Sequence, residues 1–280
     1  GRHVATFHSL QDVTPGMIIN RMVGRDVSEV FCHTAHELGS PLVQAHSISG
    51  NGLSEPFNLT VKAGEIVGIF GLVGAGRTEL LKAIYQGTAG TVQVSGSPVR
   101  RGSAQASIEA GVVYLPEDRK HEGIVPVLSV AENINLSVRR SFARMGFLDK
   151  GKERSNAQQY VDQLRVKTAS LDTPIAQLSG GNQQKALLGR WLCQPIKVLM
   201  LDEPTRGIDV GAKSEIHALI NGLARQGIAV IMVSSELPEV MGVSDRIIVM
   251  REGRMAGEVI RSEATEVGLL ELALPKTEAA

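Results

Sequence analysis

Four short apolar runs punctuate the chain, at residues 65–70, 197–201, 228–233 and 246–250. Each is too short for a stable helix and too continuous for a half-exposed strand, which predicts strands buried on both faces of a parallel sheet. Helical spacing appears between them. Leu80, Leu81 and Ile84 fall on one face of the segment from Arg77 to Gln86, which Gly87 stops, and Ile216, Leu219, Ile220 and Leu223 do the same before Gly227. This alternation of strand and helix predicts an α/β fold with a mostly parallel core sheet. Residues 42–66 and 91–100, rich in Thr, Val and alternating polar positions, predict an antiparallel β flap. From about 117 to 178 the strand signals fade and helical ones take over, as in an inserted helical subdomain.

The two ends of the chain resemble each other. Gly1-Arg2, Thr6-Phe7 and the apolar Met17, Ile18 and Ile19 parallel Gly253-Arg254, Glu258-Val259 and Leu269-Leu270. Residues 1–24 then read as the tail of a preceding domain of the same kind, with chance alignment as the alternative. Residues 25–41, ending in Gly39-Ser40-Pro41, read as a linker, 42–276 as one domain and 277–280 as a C-terminal tail.

Composition narrows the function. The 29 basic and 29 acidic residues cancel, with no dense Lys/Arg run, which argues against a nucleic-acid partner. No apolar stretch is long enough for a transmembrane helix, and no signal peptide is expected from the first residues. Cys32 and Cys193 lack CxxC or Cys/His spacing, so free thiols in a reducing compartment are expected rather than a disulfide or a zinc site.

Three segments carry chemistry. Gly71-Leu72-Val73-Gly74-Ala75-Gly76-Arg77-Thr78, followed by Glu79, matches the phosphate-loop pattern GxxxxGK[ST] except at the lysine, and it lies between an expected strand and helix. Backbone NH groups from Gly71, Gly74, Ala75 and Gly76 can wrap phosphates, the helix N-terminus adds its dipole, and Thr78 can ligate magnesium. Arg77 keeps the lysine's charge but replaces a compact ammonium with a rigid fork, so nucleotide binding is expected to survive better than hydrolysis. Asp202 and Glu203 close an apolar strand, where the first can hold magnesium through water and the second can polarise an attacking water. Leu178-Ser179-Gly180-Gly181-Asn182-Gln183-Gln184-Lys185 opens a helix through Trp191, with Ser179 and two glycines making an outward-pointing anion site.

Together these segments resemble the ATP-binding cassette family, and within it the second nucleotide-binding domain of tandem bacterial monosaccharide importers. Pro116-Glu117-Asp118-Arg119-Lys120, the Asn182 to Lys185 ending of the signature, Pro204 to Gly211 and Val233-Ser234-Ser235-Glu236 carry that likeness. Gly189 to Leu192 and Leu274-Pro275-Lys276 are most similar to the arabinose branch, with ribose, xylose and galactoside relatives close behind. The resemblance implies an ABC-type P-loop NTPase domain using ATP and Mg2+. It implies partners as well: the preceding ABC domain, membrane permease subunits contacted around residues 117–135, and indirectly a periplasmic sugar-binding protein. The place implied is the cytoplasmic face of the bacterial inner membrane. Leu178 to Gln183 and Asp209 would serve the ATP site of the opposite domain.

The departures are informative. Glu117 stands where the family has a glutamine, which would bring a negative charge near the phosphates, and Ser235 stands where it has a switch histidine. No aromatic residue lies between Phe31 and Phe57 to stack on adenine, where His46 is the one candidate substitute. With Arg77, four features of one site are altered, and slow or absent turnover is expected of that site. An independently active cassette, using Glu203 as base, is the main rival. A non-transport cassette acting on ribosomes or DNA is another, and it lacks the basic surface it needs.

Overall fold

The computed structural model describes residues 6, 33, 36–144 and 146–275. The expected tail over 1–24, apart from Thr6, lies outside the described residues, as do most of the linker, Cys32 and residues 277–280.

A four-stranded antiparallel sheet comes first. It contains β1 (Pro41–Ile48), β2 (Phe57–Lys62), β4 (Thr91–Val94) and β5 (Ser97–Pro98), in the order β2-β1-β4-β5. The strict buried–exposed alternation of β2 fits a sheet with one face on the core. The main sheet has six strands in the order β12-β11-β3-β10-β9-β6. These are β3 (Ile66–Gly71), β6 (Val112–Leu115), β9 (Val198–Asp202), β10 (Ala229–Val233), β11 (Arg246–Arg251) and β12 (Arg254–Ile260). All pairs are parallel except β11 with β12.

Every residue of β3, β9 and β10 is buried, the expected mark of strands covered on both sides. Successive side chains alternate between two cores. Val67, Ile69, Val198, Met200 and Ile231 join the antiparallel sheet and the helix α1 (Arg77–Gln86). Ile66, Leu199, Leu201, Val230 and Met232 join the helices on the other face. Those helices are α3 (Val130–Asn135), α4 (Lys150–Gln163), α5 (Gly180–Leu192) and α6 (Val210–Arg225); a short α2 (Ala104–Glu109) precedes β6. A two-stranded hairpin, β7 (Ala143–Arg144) and β8 (Phe147–Leu148), interrupts the helical region. At the far edge α7 (Leu237–Val243) and α8 (Glu266–Ala273) cover Phe70, Ile247 and Val249.

Two core-sheet strands escape the apolar pattern: β6 has only four residues, and β12 is nowhere fully buried because it forms the antiparallel edge. Among the described residues, no helix is long and apolar enough to cross a membrane.

Candidate functional site

The carboxyl ends of the parallel strands converge, the place where open α/β sheets bind ligands. β3 runs into the phosphate loop, β6 into Glu117, β9 into Asp202-Glu203 and β10 into Ser234-Ser235. They enclose a cleft of about 510 Å³ lined by Val73 through Glu79, Glu117, Glu203, Arg206, Gly207, Ser235 and Glu236.

The loop owes its shape to close approach. Gly76 has φ +91°, and a Cβ there would stand 2.6 Å from the Gly52 carbonyl oxygen. Gly74 and Ala75 line the cleft, whereas Gly71 lies behind it, where a Cβ would meet the Met250 carbonyl oxygen at 2.5 Å. Helix α1 begins directly after Gly76 with no side-chain cap, so its first backbone donors face the cleft.

Two pairs of opposite charges face each other in this cleft. Arg77 Nη1 lies 3.3 Å from Glu203 Oε1, with both side chains nearly buried. That nitrogen has no partner of hydrogen-bonding geometry, so a buried donor remains beside the loop, the kind of atom a phosphate oxygen satisfies. The Ser235 hydroxyl donates to Glu203 Oε2 at 3.1 Å. Glu203 itself holds φ +46°, a left-handed conformation uncommon for a non-glycine residue, which turns the chain out of β9. Arg206 forms an ion pair with Glu117. Glu117 thus brings its negative charge to the phosphate-loop cleft, and Arg206, which follows the Asp202-Glu203 turn, is the cation that faces it.

Beneath the cleft, Asp202 is 1% exposed. Thr78 Oγ1 donates to its Oδ1 at 3.2 Å and Tyr114 OH to its Oδ2 at 2.9 Å. Burial raises the Asp202 carboxyl above its ordinary range, partly offset by those two hydrogen bonds. The Thr78 hydroxyl and Asp202 carboxylate are adjacent hard-oxygen donors at the phosphate loop, which fits magnesium. Among the described residues no three His, Cys, Asp or Glu side chains could cage a metal, and an ion held mainly by phosphates and water needs no such cage. His46 is exposed in β1 and does not line the cleft.

The signature segment forms a second, separate cleft of about 210 Å³, lined by Lys167, Ser179, Gly181, Asn182, Lys185, Asp209, Gly211, Ala212 and Glu215. Ser179 is the N-cap of α5, yet its side chain caps no backbone N–H. A Cβ on Gly181 would stand 2.5 Å from Ala212 Cβ, so glycine permits the close packing of α5 on α6 that brings Ser179 beside Asp209. Asp209 caps α6 through Ala212 N at 2.9 Å. Leu178, Gly180 and Gln183 do not line this cleft. Leu178 packs against the core, and a Cβ on Gly180 would collide with Arg119. Gln183 is buried and donates to the Leu178 carbonyl at 3.1 Å.

Sequence reasoning missed Tyr114, Arg206 as the partner of Glu117, and a buried polar hub. Glu239, 1% exposed, accepts from Thr205 Oγ1 at 2.8 Å and from Ser234 Oγ at 2.5 Å, and lies 2.6 Å from His217 Nε2. It ties the turn after β9, helix α6 and the turn after β10 together. The one available signal was a carboxylate on a helical face otherwise occupied by Val240 and Val243.

Comparison with known proteins gives consistent results. A family model described as ABC transporter matches residues 54–206. The chain is 52% identical over 281 residues to the Arabinose import ATP-binding protein AraG of Pseudomonas savastanoi pv. phaseolicola, covering 99% of this chain and 55% of that protein. It is 50% identical to the protein of the same name from Paraburkholderia xenovorans, covering 100% of this chain and 55% of that one. The chain thus spans about half the length of the curated relatives it matches. Among solved structures, a nucleotide-free ATP-binding cassette from an ABC transporter aligns with TM-score 0.71 at 18% identity, over 84% of this chain and all of that one. The dimeric cassette MJ0796 bound to ADP and Pi aligns with TM-score 0.65 at 21% identity, over 79% and 99%. At these identities the structural likeness speaks for the fold.

Proposed function

The chain belongs to the ABC transporter family, and from that premise we propose that it is the second nucleotide-binding cassette of a monosaccharide importer, of arabinose type, whose signature cleft completes the ATP site of the preceding ABC domain. The observation that carries this reading is the Arg77–Glu203 ion pair. It occupies the carboxylate best placed to polarise a water with the cation that should hold phosphates, and Ser235 takes the second oxygen. Arg77 keeps an unsatisfied donor for a phosphate oxygen while its charge faces Glu203, and Glu203 is engaged on both oxygens rather than free to act as a base.

In this reading the phosphate loop, Arg77, Thr78 and Glu79 hold ATP, and Thr78 and Asp202 hold magnesium, which when bound neutralises phosphate charge. Glu117, Glu203 and Ser235 line a weakly hydrolytic site. The second cleft presents Ser179, Gly181 and the unpaired first-turn donors of α5 to a γ-phosphate held by the partner cassette. The exposed Pro126 and Val127, 85% exposed in the second case, belong to the surface that meets membrane permease subunits. Those subunits would receive sugar from a periplasmic binding protein at the inner membrane, with this chain on the cytoplasmic face. Arabinose as the sugar rests on the names of the relatives.

The test is ATP turnover by this cassette alone and mixed with the preceding cassette. Turnover only in the mixture, abolished by Ser179→Arg and spared by Glu203→Gln, is the expected result. Turnover alone that disappears with Glu203→Gln would overturn the reading in favour of an independently active ATPase.

A further inference from the structure

Resting on that reading of the second cleft, we infer that Asn182 is a positioning residue that forces the Ser179 hydroxyl to act as a hydrogen-bond donor toward the ligand. A directional relay does this, each orientation being fixed by the one before. The backbone N–H of Lys167 lies 2.7 Å from Asn182 Oδ1. An N–H can only donate, so the amide oxygen must face Lys167 and the amide nitrogen must face away. That nitrogen, Nδ2, lies 2.8 Å from Ser179 Oγ. It too can only donate, so Ser179 Oγ accepts and its own hydrogen has to point elsewhere.

The surroundings decide where. Ser179 caps no backbone N–H of α5, although serine at this position ordinarily does. The Ser179 hydroxyl donates to no acceptor among the described residues; the two carboxylates of the cleft bond elsewhere, Asp209 Oδ1 to Ala212 N and Glu215 Oε2 to Lys185. The hydroxyl hydrogen is therefore turned into the open cleft, beside the free first-turn N–H groups. A serine left to itself is ambivalent, since its oxygen can accept as readily as donate. Here the ambiguity is removed before any ligand arrives, which is electrostatic preorganisation toward an anion. Lys167, from the loop after α4, supplies the first donor of the relay through its backbone and needs no particular side chain.

The experiment uses the complete protein, with partner-site ATP turnover and thermal unfolding measured on Ser179→Ala, Asn182→Ala, Asn182→Asp and the Ser179→Ala/Asn182→Ala pair. Ser179→Ala is expected to lose about tenfold to hundredfold in turnover, the worth of one charge-assisted hydrogen bond. Asn182→Ala frees the hydroxyl to rotate and is expected to lose about threefold to tenfold. The double variant should be no worse than Ser179→Ala, because Asn182 acts only through that hydroxyl. Asn182→Asp still accepts from Lys167 but cannot donate, so it draws the Ser179 hydrogen inward. It should lose as much turnover as Ser179→Ala while its melting temperature holds or rises, an acid in the first turn of a helix being favourable. Multiplicative losses in the double variant, or wild-type turnover in Asn182→Asp, overturn the role of Asn182 while leaving the second cleft in place. A Ser179→Ala variant with wild-type turnover overturns the reading of the cleft itself.

Discussion

The two clefts of this cassette are built from the same kinds of parts and differ in where their polar atoms point. In the phosphate-loop cleft, Arg77 faces Glu203, Arg206 faces Glu117, and Ser235 donates inward to Glu203. In the signature cleft, the acids are tied to their own helix or to Lys185, and the donors at the start of α5 face outward. Arg77 and Glu117 of the first cleft thus each face an opposite charge. The result is two charge-balanced pairs across the first cleft, while the second cleft keeps its donors turned outward.

The strongest way to break this contrast is Ser179→Arg. It fills the second cleft and should lower partner-site turnover at least about hundredfold, while nucleotide binding at the phosphate loop, measured by fluorescent ATP titration, stays unchanged. Next is Glu239, which holds both regions. Glu239→Ala takes the acceptor from the buried Thr205 and Ser234 hydroxyls and the carboxylate from beside His217, and should destabilise the fold by about 3 kcal/mol, read from urea midpoints. Burial pushes this carboxyl up, but hydrogen bonds with His217, Ser234 and Thr205 outweigh that and hold it below its ordinary value of 4.5. Its stabilising share is therefore complete above pH 4.5 and is lost as the pH falls through the lower folded value, so Glu239→Gln should flatten the acid limb of stability against pH.

A smaller effect tests the first cleft directly. Arg77→Lys with Ser235→His should raise turnover there about tenfold, because it breaks the pairing around Glu203 and restores a compact ammonium. An unchanged rate would mean that the cleft already works and that the contrast is false. Least of all, Arg206→Ala should weaken ATP binding about twofold to threefold by leaving Glu117 unbalanced, since a partly exposed ion pair contributes little.

The contiguous motifs made most of this architecture legible. The phosphate loop, Asp202-Glu203 and the signature segment each carry their chemistry within a few residues, and the buried strands announce themselves as unbroken apolar runs. What stayed hidden was pairing at a distance. Tyr114 reaches Asp202 across 88 residues of chain, and Arg119 reaches Gly207 across another 88. Nothing in the local pattern of either residue says what it will face, because neighbours across a parallel sheet are set by strand order. The strand carrying Tyr114 was itself too short to register. Glu117 shows the same limit from the other side: its charge was visible, and the arginine that cancels it was not.

Arg190 has a mechanical meaning. Near the far end of α5 its buried guanidinium grips only neutral oxygens, the Asn133 carbonyl at 2.9 Å, the Gly123 carbonyl at 2.7 Å and Asn133 Oδ1 at 3.0 Å. Burial lowers its pKa to about 10, so the cation persists at neutral pH and its grip does not titrate there. A 13-residue helix is a strut about 20 Å long that bends but does not shorten. One end carries Ser179 and the other is tied to the segment bearing Val127, so a single stiff span joins the second cleft to that exposed segment.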